Sequence, residues 1–141
     1  MSAEEGGADA VQITRDGGRY ARVSPDGQTI DYTKPWGTTG WGTNAALWRV
    51  SSQGGPETKL ACPGSQAAFF AVVQEGIYSI QLLPGGFMIV FFDFTTQQSR
   101  PIAVVEKPSA FGFSVSPDQR SILYTQLEHA TADLMLVEGF Q

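Results

Sequence analysis

The sequence predicts an all-β fold of repeated antiparallel units, and three observations carry that prediction. The first is a decapeptide that returns. Ser24-Pro25-Asp26-Gly27-Gln28-Thr29-Ile30-Asp31-Tyr32-Thr33 and Ser116-Pro117-Asp118-Gln119-Arg120-Ser121-Ile122-Leu123-Tyr124-Thr125 agree at six of ten positions. The second is spacing: Ser24 and Ser116 stand 92 residues apart, two periods of 46. A period in the forties, built around a turn between two strand-like runs, is the mark of β-propeller blades. The third is composition: 16 Gly and 8 Pro among 141 residues, with no long run of strong helix formers, favour turns and strands.

Taken in order, residues 1–9 are small and acidic and read as a flexible tail. Ala10–Thr14 alternates apolar and polar and predicts a short strand that precedes the first repeat and belongs to no complete blade. The first blade spans 19–62. Its opening hairpin turns on Ser24–Gly27, where Pro25 carries the φ that a type I turn needs, Asp26 can accept from local N–H groups and Gly27 tolerates positive φ. In the second copy Gln119 takes the glycine's place, which predicts slight strain or another turn geometry. A Gly- and Thr-rich loop, Lys34–Asn44, leads to strands at Ala45–Ser51 and Thr58–Cys62.

The second blade spans 67–106, with strands at Ala68–Val73, Ile77–Leu83, Phe87–Phe94 and Ile102–Val105. The run Phe87–Phe92 lacks the period-2 alternation of a strand with one wet face, and reads as a strand covered on both faces. A core helix competes, but Gly-Gly and Thr-Thr boundaries and the Phe, Ile and Val content favour strand. The third blade spans 111–140, with strands at Phe111–Val115, Ser121–Thr125 and Asp133–Val137, a loop through His129, and no fourth strand.

Charge and cysteine content exclude several classes. A net charge of −5 with nine scattered Lys and Arg argues against a nucleic-acid partner. The single cysteine, Cys62, permits no intramolecular disulfide and reads as a small buried strand residue. No cationic start followed by an apolar run suggests a signal peptide, and the six-residue run Phe87–Phe92 is too short to insert in a membrane. The expectation is a soluble chain, with a cytoplasmic location favoured.

The run Val23–Thr33 (VSPDGQTIDYT), followed by Ala46–Leu60 (ALWRVSSQGGPETKL), resembles a TolB-like, WD-repeat-like bacterial propeller repeat. The ending Phe113–Gln126 (FSVSPDQRSILYTQ) with Asp133–Phe140 (DLMLVEGF) resembles the last blade of such a propeller. The resemblance runs from about Val11 to Phe140 and weakens only at the Gln74-Glu75-Gly76 turn. It implies propellers of six or more blades, in bacterial proteins where such blades can accompany kinase, DNA-binding or peptidase domains. It implies a fold and not an activity, because propellers host unrelated functions.

Three blades in an open arc would leave two blade faces and their sheet edges bare. The orphan strand 10–14 and the missing fourth strand of the last blade match each other. Two readings follow. In one, two chains form a homodimeric six-bladed propeller, each N-terminal strand closing the other chain's last blade. In the other, the chain is the C-terminal half of a longer propeller, an accessory or sensor domain of a regulatory or hydrolytic protein.

Candidate site residues come from topology. In a four-stranded blade, the second-to-third strand loop and the blade-to-blade connection share one end of the sheet. That end collects Trp36, Trp41, Glu128, His129, Arg15, Asp16 and Lys107, as a face for a protein or small ligand. Packing against a neighbouring blade or a second subunit is the competing reading of the two tryptophans. His129 is the single histidine, its neighbour Glu128 points to the other side of an extended strand, and no G-x-S-x-G elbow occurs, so no catalytic residue is expected. No metal-ligand spacing and no cofactor motif are present. Asp26 and Asp118 read as turn caps.

Overall fold

A computed structural model of the protein describes residues 9–34, 45–62, 69–128 and 131–140. Among these residues no helix occurs. Eleven strands form three antiparallel sheets, each a meander of strands adjacent in sequence. The first blade comprises β1 (Arg19–Val23), β2 (Thr29–Lys34), β3 (Ala46–Ser51) and β4 (Thr58–Lys59). The second comprises β5 (Phe70–Val72), β6 (Gly76–Leu83), β7 (Gly86–Asp93) and β8 (Gln98–Val105). The third comprises β9 (Pro108–Val115), β10 (Ser121–Glu128) and β11 (Thr131–Glu138).

The recurring decapeptide builds the same turn twice. Gly27 N–H donates to Ser24 O at 2.8 Å, and Gln119 N–H donates to Ser116 O at 2.8 Å. Each serine hydroxyl donates to the aspartate two residues on, Ser24 to Asp26 and Ser116 to Asp118, both at 2.7 Å. The same carboxylates accept the Gln28 and Arg120 N–H groups. These donors, the serine hydroxyls foremost, hold both aspartates below the ordinary carboxylate range. The geometry survives the glycine's replacement: φ is 73° at Gly27 and 58° at Gln119.

Period-2 alternation divides the middle blade between its neighbours. On one face Phe70, Ile77 and Phe92 pack with Leu47 of the first blade and with Cys62. On the other, Tyr78, Ile80, Ile89 and Phe91 pack with Ile122 and Tyr124 of the third. Ile77 pairs with Phe92 and Tyr78 with Phe91, so opposite residues share a face across the ladder. The Tyr78 and Phe91 rings lie 4.6 Å apart. The doubly covered strand expected at Phe87–Phe92 is therefore β7, and each fully buried large side chain contributes roughly 1.5–3 kcal/mol. Polar groups brace the same junctions. Asp31, fully buried, accepts two bonds from Arg49 at 2.7 and 2.8 Å, and that guanidinium lies 4.1 Å above the Phe94 ring.

Several expected bounds change, among them β4, which ends at Lys59, and β5, which is Phe70–Val72. The connection between β10 and β11 is shorter than the loop expected there, because the ladder runs on to Glu128 and Thr131. The third blade starts at Pro108 instead of Phe111, and β8 extends back to Gln98, with Pro101 tolerated on a sheet edge beside a bulge. Ala10–Thr14 forms no ladder in this chain. Strand-like alternation describes a face and does not supply the partner edge that a ladder needs, and among the described residues none pairs with this segment. The segment lies against the first blade instead: Gly18 sits between Thr14 and the Tyr32 ring, and Ile13 lies beside Gly54.

Gln119 repays its left-handed backbone with side-chain bonds to the middle blade, accepting from Tyr78 Oη at 3.1 Å and donating to Glu75 at 2.9 Å. Left-handed backbone costs a non-glycine residue roughly 1–2 kcal/mol, and each bond is worth about 1 kcal/mol. Gln119→Ala keeps the strain and loses both bonds. It is expected to destabilise by about 1–2 kcal/mol, with Gln119→Gly more stable than the alanine variant by about 1 kcal/mol. Urea unfolding of the two variants checks the order.

Candidate functional site

Antiparallel alternation sends the start of each blade's first strand, the end of its second and the start of its third to one end of the stack. Of the residues expected to form a partner face, the described Arg15, Lys107 and Glu128 belong to connections or strand ends on that side. Arg15 precedes β1, Lys107 lies in the link from β8 to β9 and is exposed, and Glu128 ends β10. Lys107 O accepts from Leu127 N–H at 2.8 Å, tying the β8–β9 link to the β10 terminus. Trp36, Trp41 and His129 lie outside the described residues. Among the described residues no group of three or more His, Cys, Asp or Glu could hold a metal ion.

Arg15 joins a cluster that the sequence did not reveal. The Glu57 carboxylate, just before β4, accepts from Tyr32 Oη, from Arg15 N–H at 2.9 Å and from Lys34 Nζ at 3.0 Å. Lys34 Nζ also donates to Arg15 O at 2.8 Å and lies 4.3 Å from the Trp48 ring centroid. The N-terminal segment and β2 thus converge on one carboxylate, which latches the N-terminal segment onto the first blade. The Tyr32 hydroxyl, the Arg15 amide and the Lys34 ammonium together hold the Glu57 carboxyl down to about 2. Burial, reinforced by Glu57, pushes the Tyr32 phenol above its ordinary range. No local motif announces Glu57, since its partners are 23, 25 and 42 residues away.

The opposite end, where the Ser-Pro-Asp turns lie, holds a cleft of about 320 Å³ between the second and third blades. Glu75, Asp93, Asp118 and Gln119 line it with Arg100, over a floor of Tyr78 and Phe91. The Arg100 guanidinium stands 5.3 Å from the Phe91 ring centroid. The cleft contains carboxylates, one guanidinium and an amide, and no nucleophile paired with a base. Gln119 in the glycine's place was the one sequence signal at this spot.

The third blade carries the most conspicuous surface. Ile122, Tyr124, Met135 and Val137 face the middle blade. The alternate residues of the same two strands point away, leaving Leu123, Leu127, Leu134 and Leu136 exposed at 38%, 45%, 69% and 57%. Among the described residues β11 pairs with β10 alone, so its other edge is open.

Three stacked antiparallel meanders of this kind are blades of a β-propeller. The fold is TolB-like: the chain superposes on TolB from Acinetobacter baumannii with a TM-score of 0.67 at 20% identity, over 89% of this chain and 31% of that one. A structure described as TolB from Agrobacterium tumefaciens gives 0.62 at 15% identity, over 82% of this chain and 40% of that one. The chain spans less than half the length of either, as half a propeller does. No protein-family model and no curated protein matches it.

The latch yields a pH prediction. A carboxyl whose folded value is depressed contributes stability that is complete above the unfolded value of about 4.3 and fades as pH falls towards about 2. Docking of residues 10–18 is therefore expected to be insensitive to pH from 5 to 8 and to weaken progressively below about pH 4. Glu57→Gln should loosen the segment at neutral pH. Amide exchange at Arg15, faster in the variant than in the parent, checks this.

Proposed function

We propose that this chain is a non-enzymatic interaction module, and that two copies assemble into a homodimeric six-bladed propeller by exchange of the N-terminal segment. The observation that carries the reading is the mismatch at the two ends. The third sheet has three described strands where the others have four, and Ala10–Thr14 carries strand-like alternation but forms no ladder. Dimerisation supplies the missing strand, covers the bare blade faces and leaves no sheet edge exposed between chains.

The end bearing Arg15, Lys107 and Glu128, together with Trp36, Trp41 and His129, is the surface offered to a protein or small ligand. Propeller scaffolds position loops rigidly, and binding residues concentrate on such loops. The absence of any nucleophile–base pair in the cleft supports binding over catalysis.

A second reading has a specific observation in its favour. The chain covers 31% and 40% of the two TolB structures, so it also fits an accessory or sensor part of a longer propeller within a regulatory or hydrolytic protein. Sedimentation equilibrium at micromolar concentration separates the two. The dimer reading expects twice the chain mass, and a well-folded monomer overturns it. Deleting residues 1–15 removes Ile13, Thr14 and the Arg15 amide from the first blade, and should dissociate or precipitate the protein.

A further inference from the structure

Exposed large apolar side chains are not spread evenly over this molecule. The described ones are Val11, Val23, Leu83, Val104, Leu123, Leu127, Leu134 and Leu136. Leu83 closes β6 at a hairpin and Val104 lies on the edge strand β8. The remaining six belong to the two ends of the blade stack. Four form the leucine face of β10 and β11, where Leu123 pairs with Leu136 and Thr125 with Leu134. At the other end Val23 pairs with Ile30, which places it on the same face as Tyr32 and away from the middle blade. Val11, 77% exposed, belongs to the segment seated on that face.

We infer that the leucine face of β10–β11 is a seam for the first-blade end of a second copy of this chain, with that copy's residues 10–12 running along the open edge of β11. The inference rests on the two-chain reading above and adds its surfaces and its polarity. A second copy fits for reasons internal to the molecule. Blade-on-blade packing already occurs twice within the chain, through the clusters around Phe92 and around Tyr78, so a face of one blade complements a face of the next. The seam repeats that step between chains. The copy's first blade brings Val11 and Val23, apolar and exposed, to meet apolar and exposed leucines. Its Glu57 latch holds Ile13–Arg15 in place, so residues 10–12 are presented from a fixed base instead of a loose tail.

The polarity matters because it is testable. The contact joins unlike ends, third blade to first, and a two-fold axis makes the two seams of the dimer equivalent. Charge on one end therefore damages both seams of a homodimer. Mixing a copy altered at the leucine face with a copy altered at the first-blade end restores one intact seam.

Sedimentation equilibrium on the full chain tests this with two variants, L134D/L136D and V11D/V23D, and with their mixture. Each variant alone is expected to dimerise about 100-fold more weakly than the parent or worse, while keeping its far-ultraviolet spectrum, since the altered side chains are exposed. An equimolar mixture is expected to dimerise more tightly than either variant alone. The milder pair L134S/L136S, expected to weaken dimerisation in the same direction, replaces the aspartates if those impair folding. A parent dimer unaffected by substitution at the leucine face overturns this seam and leaves the dimer reading standing. Mixtures that behave no better than the separate variants overturn the head-to-tail polarity. A monomeric parent overturns the dimer reading itself.

Discussion

A blade that is apolar on both faces is stable only between two other layers, and that constraint organises this molecule. The middle blade meets it completely. Alternate residues of β6 and β7 enter opposite clusters, so Ile77 and Phe92 serve one interface while Tyr78 and Phe91 serve the other. The outer blades meet it by half. Blade one has its outward face covered in part by residues 10–18 of its own chain. On blade three no described residue covers the corresponding face, and four leucines stay exposed there. The asymmetry between the two ends is thus a consequence of stacking, and it gives the stack a direction.

Polar groups at the blade junctions add geometry more than energy. The Asp31–Arg49 pair is bidentate, and the carboxylate is wholly buried while the guanidinium spreads over Phe94. Removing two charges from water offsets much of their attraction, so such a pair is weak evidence for net stabilisation. What it supplies is position, since a planar fork on a ring admits few alternative seatings. Gln119 does similar work on the other side of the middle blade, at the cost of a left-handed backbone where Ser24–Gly27 uses glycine. The two turns share their Ser–Asp hydrogen bonds but reach the middle blade differently. The first does so through Gln74 Nε2, donating to Asp26 at 3.5 Å, and the second through the Gln119 side chain.

Much of this architecture was legible in the sequence because its determinants are local. Turn chemistry at Ser-Pro-Asp, Gly54-Gly55 and Pro84-Gly85 acts over four residues, and the strands between follow from apolar runs bounded by those turns. The 46-residue period then sets the blades. What escaped depends on partners far along the chain. Glu57 gathers Arg15 from the N-terminal segment and Tyr32 and Lys34 from β2, and no spacing rule links it to either. Ala10–Thr14 has strand alternation, yet alternation describes a face and not the neighbour that must supply hydrogen bonds. The leucine face escaped for a related reason. A strand apolar on both sides reads the same whether both sides are covered or one is bare, so β7 and β11 could be told apart only once their neighbours were placed. Of the expected site residues, Arg15 proved to belong to the latch, a role that its position before β1 did not suggest.

Direction and closure together bear on what the stack is for. A head-to-tail contact that repeats the internal blade-to-blade step closes only when the steps complete a circle, and otherwise it propagates. Three blades turn the chain through half a circle when each step is roughly a sixth of a turn, within the range of four to eight blades that propellers adopt. Closure then occurs at two copies and consumes both apolar ends, leaving as free surface only the loop end and the turn end. A wider ring, of seven or eight steps, would strand one leucine face per assembly and invite open filaments. In a longer propeller the same apolar ends are contacts to further blades. In the two-chain reading they are the glue of a closed pair when the ring closes and an aggregation liability when it does not. The rigidity that the Glu57 latch gives to residues 13–15 helps to decide between them, because a strand delivered from a fixed base meets its partner edge in one register.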